Sequence, residues 1–319
     1  MSQSLLKAEH IKISFGNVHA LRDVSLEILP GEIHCLAGEN GCGKSTIIKI
    51  ISGVYQRDGG TIEFNGQKID KISPIDAINL GIQVIYQDFA LFPNLTVAEN
   101  LALNTELASR KKTVSWKNVR KIAEEAVSKI NFQVDLDEKV EKLTVAQKQM
   151  VAISRALMSN AKLIIMDEPT VAVDPQSRNK ILEGIVELNR NGATIIYTSH
   201  YMEEVEQICS RIAIMDKGKN LAIGTKDELK QMIKKSESIS IDILDLPDAA
   251  IDEIHALKHV YEVTYENHML TVLCSGGSHN LIHVLDYLQQ HEITFGKVYS
   301  ELPTLNDVFL EITGKELRD

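Results

Sequence analysis

Gly38, Glu39, Asn40, Gly41, Cys42, Gly43, Lys44, Ser45 and Thr46 follow one another without interruption. They fit the order glycine, four unrestricted residues, glycine, lysine, hydroxyl, which is the spacing of a loop that cradles phosphate. Glycines let backbone N–H groups close around an anion, and a helix N-terminus adds partial positive charge behind them. Lys44 is then placed for the β- and γ-phosphates of a nucleotide and Ser45 for a Mg²⁺ ion. Cys42 lies among those N–H groups and beside Lys44, so its thiol is expected to have a lowered pKa. It should react faster than Cys35, Cys209 and Cys274. A glycine-rich turn that happens to carry Lys-Ser is the alternative, and the flanking residues argue against it. The apolar run Ile33 to Ala37 suits a buried strand, and Ile47, Ile48, Ile50 and Ile51 recur at helical spacing.

A second chemical group stands far along the chain. Leu163-Ile164-Ile165-Met166 is a short apolar run that ends in Asp167-Glu168, as a central parallel strand would deliver carboxylates to the edge of a sheet. Asp167 can hold Mg²⁺ through water, and Glu168 can orient or polarise an attacking water; phosphoryl transfer to water needs both. Ala193 to Thr198 is another such strand, and it ends at Ser199-His200. A histidine at a strand end beside the cradle is a site candidate. His279 and His283 are spaced i, i+4 without an acidic or Cys partner nearby, which reads as a surface pair rather than a metal site.

The elements that must position these groups follow from the patterning. Residues 8 to 15 and Leu21 to Ile28 alternate as strands, and Thr61 to Phe64 is a short strand between Asp58-Gly59-Gly60 and Asn65-Gly66. Ile82 to Tyr86 is an apolar strand ending at Gln87. Ala98, Leu101, Val119, Ile122, Ala126 and Ile130 mark a helical zone beyond Pro93. The basic residues Lys111-Lys112 and Lys117 to Lys121 are followed at once by acidic ones and read as a solvated face. Ile181, Leu182, Ile185 and Leu188 place a helix between the strands that end at Asp167 and Ser199, which makes the sheet doubly wound. After an amphipathic helix at Lys226 to Lys235 the pattern changes. Strand Ser240–Leu244, helix Asp248–Leu257, strands Val260–Glu266 and Met269–Cys274, helix Asn280–Gln290 and a strand near Thr294–Ser300 give β-α-β-β-α-β, with a terminal helix at Leu305–Thr313. The expected division is 1–236, with a helical subdomain at about 89–160, and 237–319, an appended regulatory or dimerising domain.

The chain of 319 residues is long enough for two domains. A net charge of −10 argues against a nucleic-acid partner. No apolar run approaches a membrane span or a signal peptide, so a cytoplasmic location is expected. The four scattered cysteines have no metal-site spacing and are expected to be reduced thiols.

Taken in order, Gly38 to Thr46, Gln87, Leu143-Thr144-Val145-Ala146-Gln147, Asp167-Glu168, Asp174 and His200 resemble the ATP-binding cassette of ABC transporters, over residues 5 to 225. The resemblance implies a P-loop α/β cassette with an antiparallel β subdomain and a helical subdomain, followed by a small α+β ferredoxin-like domain. It implies ATP and Mg²⁺ as cofactors, Phe15 stacking on adenine, and Gln87 sensing Mg²⁺ or water and relaying movement to a membrane subunit. His200 would be the switch histidine that reaches the γ-phosphate. An edge-strand Phe is often core, so both readings of Phe15 stand. Thr144 and Gln147, in the segment Leu143 to Gln147, would act across a head-to-tail homodimer and complete the partner's ATP site, and Asp174 would belong to the nucleotide-binding set. Thr144 keeps the hydroxyl of the family's usual Leu-Ser-Gly-Gly-Gln segment, whereas Val145 and Ala146 replace its glycines, which puts full-rate hydrolysis in question.

Up to about Glu168 the chain resembles the first cassette of sugar importers. From Pro169 onward, including His200-Tyr201-Met202-Glu203-Glu204 and Leu302 to Leu310, it resembles drug- or lipid-exporting transporters and their C-terminal domain. The expected function is therefore an ATPase subunit on the inner face of the membrane, driving separate transmembrane permease subunits, with export ahead of carbohydrate import. A soluble cassette ATPase or a nucleotide switch is the reading from another class.

Overall fold

A computed structural model describes residues 3–86, 90–108, 115–158, 161–277 and 279–314, without the side chains of 104–108. The chain divides into two compact units, Met1–Ile223 and Gly224–Asp319. The division falls before the amphipathic helix instead of after it, at the 236/237 expected from sequence. The reason is that this helix, Lys226–Gln231, packs on the terminal helix Leu305–Thr313 within the second unit.

In the first unit the elements are β1 (Leu6–Phe15), β2 (Val18–Ile28), β3 (Ile33–Ala37), α1 (Lys44–Ile51), β4 (Gly59–Phe64), β5 (Gln67–Ile69), α2 (Pro74–Leu80) and β6 (Ile82–Ile85). They continue with α3 (Val97–Ala108), α4 (Trp116–Ser128), α5 (Val145–Leu157), β7 (Leu163–Asp167), α6 (Pro175–Arg190), β8 (Thr194–Ser199), α7 (Met202–Ile208), β9 (Arg211–Asp216) and β10 (Lys219–Thr225). One ten-stranded sheet runs β5-β4-β1-β2-β10-β9-β3-β8-β7-β6. Its β9-β3-β8-β7-β6 part is parallel and its β5-β4-β1-β2 part antiparallel, the latter being the antiparallel subdomain that the resemblance implies. All five residues of β3 and all six of β8 are buried, which explains why both read as continuous apolar runs rather than alternating ones.

Two hydrophobic clusters of this unit bear on the site. The larger joins Leu6, Ile11, Leu26, Ile47, Ile51, Phe64, Ile165 and Ile196, so the first helix after the phosphate loop is packed against both halves of the sheet. A second gathers Val97, Leu101, Val119, Ile122, Ala126, Leu143 and Val151 between α3, α4 and α5, the expected helical zone. Asn100 is fully buried there. Its amide donates to the carbonyls of Phe92 and Thr96 at 3.0 Å and its oxygen accepts from the Phe92 N–H at 2.8 Å, fixing the turn before α3.

The second unit opens with α8 (Lys226–Gln231) and continues β11 (Glu237–Asp242), α9 (Asp248–His255), β12 (Val260–Glu266), β13 (Met269–Cys274), α10 (Asn280–Gln290), β14 (Val298–Glu301) and α11 (Leu305–Thr313). Its antiparallel sheet has the order β12-β13-β11-β14, so the first strand lies between the third and the fourth. That is the ferredoxin-like arrangement. Ile239, Ile241, Leu270, Val272, Val284 and Leu288 form its core. β11 starts earlier than the sequence suggests and ends at Asp242, because Ser238 and Ser240 alternate with the buried isoleucines; Leu244, taken for strand, is exposed.

Ile196 is fully buried at the centre of β8. Ile196→Ala should therefore lower the stability of the first unit by about 3–4 kcal/mol, read from the urea midpoint of its unfolding transition by circular dichroism.

Candidate nucleotide site

The phosphate loop links β3 to α1, and two of its glycines are dictated by geometry. Gly38 has φ +156°, and a Cβ there would collide with the Met215 carbonyl and with the Cys42 sulfur. Gly43 caps α1 with φ +115°, and a Cβ would lie 2.6 Å from Leu21 Cδ2. Glu39, Asn40 and Gly41 make the turn between them, closed by the Cys42 N–H donating to the Glu39 carbonyl at 3.2 Å. No side chain caps α1, whereas α2, α5, α8 and α11 are each closed by a capping box. The start of α1 at Lys44 and Ser45 is thereby left without a side-chain cap and open to an anion, while the Thr46 N–H donates to the Gly43 carbonyl at 3.1 Å.

Lys44 is only 4% exposed, and its ammonium is held inside the loop. Nζ donates to the Gly38 carbonyl at 2.6 Å and the Glu39 carbonyl at 3.2 Å, and Glu168 Oε1 lies 3.4 Å away. Across from it, Asp167 Oδ1 accepts from Ser45 Oγ at 3.3 Å and from Thr198 Oγ1 at 3.0 Å. The same Thr198 hydroxyl accepts from the Glu168 N–H at 2.9 Å, so β8 fixes the main chain between the two carboxylates. Glu168 itself has φ +49°, a left-handed conformation that costs a non-glycine residue free energy and concentrates at functional sites. His200 Nδ1 stands 3.7 Å from Glu168 Oε1, too far for a hydrogen bond, and is buried without a hydrogen-bond partner among the described residues.

The structure thus brings Lys44, Ser45, Asp167, Glu168 and His200 together at one edge of the sheet. Phe15 ends β1 with its ring 46% exposed, edge-on to Tyr55 at 5.2 Å between centroids. Thr144 and Gln147 do not join the cluster. They form the capping box of α5, in which the Gln147 N–H donates to Thr144 Oγ1 at 3.2 Å and the Thr144 N–H donates to Gln147 Oε1 at 3.0 Å. Val145 and Ala146 are the first helical residues behind that cap. Thr144, Ala146 and Gln147 line a groove with Asn131, Lys180 and Glu187, and no phosphate-loop residue lines it. Asp174 caps α6 by accepting from the Ser177 N–H at 3.0 Å, and the Ser177 contacts hold its carboxyl below the usual range. Gln87 lies outside the described residues.

Thr198 and Glu204 were not read as site residues. Thr198 is a hydroxyl within a buried apolar strand, directly before Ser199-His200, and that misfit was the available signal. Cys42 corrects an expectation. Its thiol is buried, and burial pushes its pKa up, outweighing the opposing pull of Lys44 and backbone N–H groups.

A phosphate cradle on a β3–α1 turn, paired with two carboxylates at the end of β7, a parallel strand separated from β3 only by β8, defines a P-loop nucleotide hydrolase. The chain belongs to the ABC transporter ATP-binding cassettes, which bind nucleotide and hydrolyse ATP. The ABC transporter family profile matches residues 21–171, and the profile for the C-terminal domain of DrrA1-3-like ATP-binding proteins matches 224–313. The linearmycin resistance ATP-binding protein LnrL of Bacillus subtilis (strain 168) is 36% identical over 317 residues, 99% of this chain and 100% of that protein. The ribose import ATP-binding protein RbsA of Hahella chejuensis (strain KCTC 2396) is 39% identical over 235 residues, covering 72% of this chain but only 47% of its own length. Among solved structures, a nucleotide-free ATP-binding cassette from an ABC transporter superposes with a TM-score of 0.64 at 29% identity, covering 72% of this chain and 94% of that one. The dimeric post-hydrolysis cassette MJ0796 bound to ADP and Pi gives 0.60 at 27%, covering 69% and 98%. The match to LnrL runs across both units.

All four cysteines are buried. Native protein at pH 8 should therefore yield well under one rapidly titrating thiol per chain to a colorimetric thiol reagent, and four after denaturation. Rapid labelling of Cys42 in the native protein would contradict its placement.

Proposed function

We propose that the chain powers export through separate membrane subunits, working as a head-to-tail pair of cassettes. The observation that carries the hydrolytic role is the meeting of Lys44, Asp167 and Glu168, with Lys44 Nζ 3.4 Å from Glu168 Oε1 and Ser45 Oγ 3.3 Å from Asp167 Oδ1. Lys44 and the uncapped start of α1 take the β- and γ-phosphates, and the contact between Lys44 and Glu168 gives way to phosphate. Glu168 is then free to orient and polarise the attacking water. His200, with an unpartnered buried Nδ1, is available to hydrogen-bond the γ-phosphate or that water. Ser45 and Asp167 offer the hard oxygen donors that Mg²⁺ takes, and the ion, when bound, neutralises charge developing on the phosphates. Phe15 offers adenine an aromatic platform beside Tyr55. Gln87 keeps the sensing role that the family resemblance gives it.

Thr144 uses its acceptor capacity on the cap of α5 but retains its O–H for donation to a phosphate. Its groove holds no phosphate-loop residue, so that phosphate is supplied by a second copy, whose site Thr144, Gln147 and Asp174 complete. The dimeric MJ0796 structure supports pairing of two cassettes. Export is favoured because LnrL, a resistance ATPase by name, matches along its whole length and the second unit fits the DrrA-like profile. Import remains the rival because the cassette alone is 39% identical to RbsA. In this reading the permease is a separate chain and the cassette lies against its cytoplasmic side; among the described residues no helix is long and apolar enough to cross a membrane. The charge of −10 disfavours nucleic acid.

Glu168→Gln should leave ATP binding intact and reduce turnover about 100-fold or more, with an ATP-bound dimer accumulating on gel filtration; unchanged turnover would refute the assignment. Lys44→Ala should instead weaken ATP binding itself in an equilibrium titration. Absence of turnover in the parent chain with its membrane partner would favour the nucleotide switch.

The family resemblance places docking of the membrane subunit between Gln87 and the segment at Leu143, where Phe92 is half-exposed beside the Asn100 clamp. Phe92→Cys should crosslink to exporter-type membrane subunits, and crosslinking only to importer-type subunits would overturn the proposed export.

A further inference from the structure

Behind the nucleotide site lies a buried polar cluster for which the hydrolytic steps have no use. Glu204, on α7, is 3% exposed, and three hydroxyls donate to its Oε2: Thr170 at 2.8 Å, Tyr197 at 2.5 Å and Ser199 at 3.1 Å. Its other oxygen, Oε1, lies 3.2 Å from Arg178 Nε on α6, a charge contact without hydrogen-bond alignment. Burial, reinforced by the Glu204 carboxylate, pushes the Tyr197 hydroxyl well above its ordinary pKa, so it remains a donor.

The partners of this carboxylate bracket both reacting side chains. Thr170 follows Glu168 by two residues. Ser199 precedes His200, and its hydroxyl also accepts from the Tyr201 N–H at 2.9 Å, so the main chain on both sides of His200 converges on one oxygen. Arg178 in turn stacks on the Tyr201 ring at 4.6 Å, and Tyr201 lies against the His200 ring with centroids 4.2 Å apart. A buried ion pair is seldom the best route to stability, since apolar residues of the same volume often do as well or better. The placement of the cluster at the junction of the two segments that carry Glu168 and His200 calls for another purpose.

We infer that Glu204 is a positioning residue: by holding Thr170, Ser199 and Arg178 on one carboxylate it sets Glu168 and His200 against each other for attack on the γ-phosphate. The inference rests on the proposed role of Glu168. A carboxylate is required because an amide at this place either turns its NH₂ toward Arg178 or presents it to three hydroxyls that are already donors.

The test is Glu204→Gln in the full chain, measured beside Glu168→Gln. Turnover should fall about 10- to 100-fold, the range expected of a small misplacement of reacting groups, while the Kd for ATP stays within about twofold and the ATP-bound dimer accumulates. A merely structural role would lower ATP affinity and thermal stability together with turnover. That result, or parent-like turnover in Glu204→Gln, overturns the inference. Should Glu204→Gln fail to fold, Thr170→Val removes a single donor at nearly constant volume and decides by the same three measurements. Parent-like turnover in Glu168→Gln would show that the reading of Glu168 has failed, whereas an inactive Glu168→Gln beside a fully active Glu204→Gln removes Glu204 alone.

Discussion

The register of three buried parallel strands is the constraint on which the site depends. β3 pairs with β8 so that Ala37 stands beside Ser199, and β7 pairs with β8 so that Asp167 stands beside Thr198. Because all three strands run the same way, the residues that follow each one emerge at the same edge. The phosphate loop, the carboxylate pair and His200 meet there although they are far apart in the chain. A slip of one residue would exchange the two faces of a strand, unseat every packed side chain and rotate the carboxylates away from Lys44. Burial on both faces makes that slip costly, so the packing that stabilises the sheet also aims the chemistry.

Lys44 shows how the site endures without its ligand. A buried ammonium is costly unless it is hydrogen-bonded or paired, and here two loop carbonyls and Glu168 meet that need. Nucleotide binding therefore replaces one partner of the cation by another rather than supplying a first one. The interior satisfies its polar groups in the same manner around Asn100, which fixes the turn before α3 through main-chain contacts.

The residues legible in the sequence were those whose type and spacing are set by chemistry that any phosphate-binding loop shares. Gly38 and Gly43 stand where backbone conformation excludes other side chains, and Asp167-Glu168 closes an apolar run, so each announces itself locally. Thr198 and Glu204 did not, because their partners come from other strands and helices and only the folded register reveals them. Cys42 was misjudged for a related reason. Spacing shows its nearness to Lys44, whereas the burial that dominates its thiol is a property of packing. The early start of β11 follows the alternation of Ser238 and Ser240 with Ile239 and Ile241, while the run through Leu244 looked equally apolar.

The sheet of the second unit ends on β12 and β14. β14 has only four residues and is flanked by Lys297 and closed by Glu301, while β12 carries a register shift between Val260 and Glu262 and exposes Glu262, Thr264 and Glu266. Bare backbone at such borders invites strand-by-strand growth between molecules, and short length, irregular pairing and projecting charge oppose it. The appended unit is thus built to remain colloidally inert when many copies crowd together.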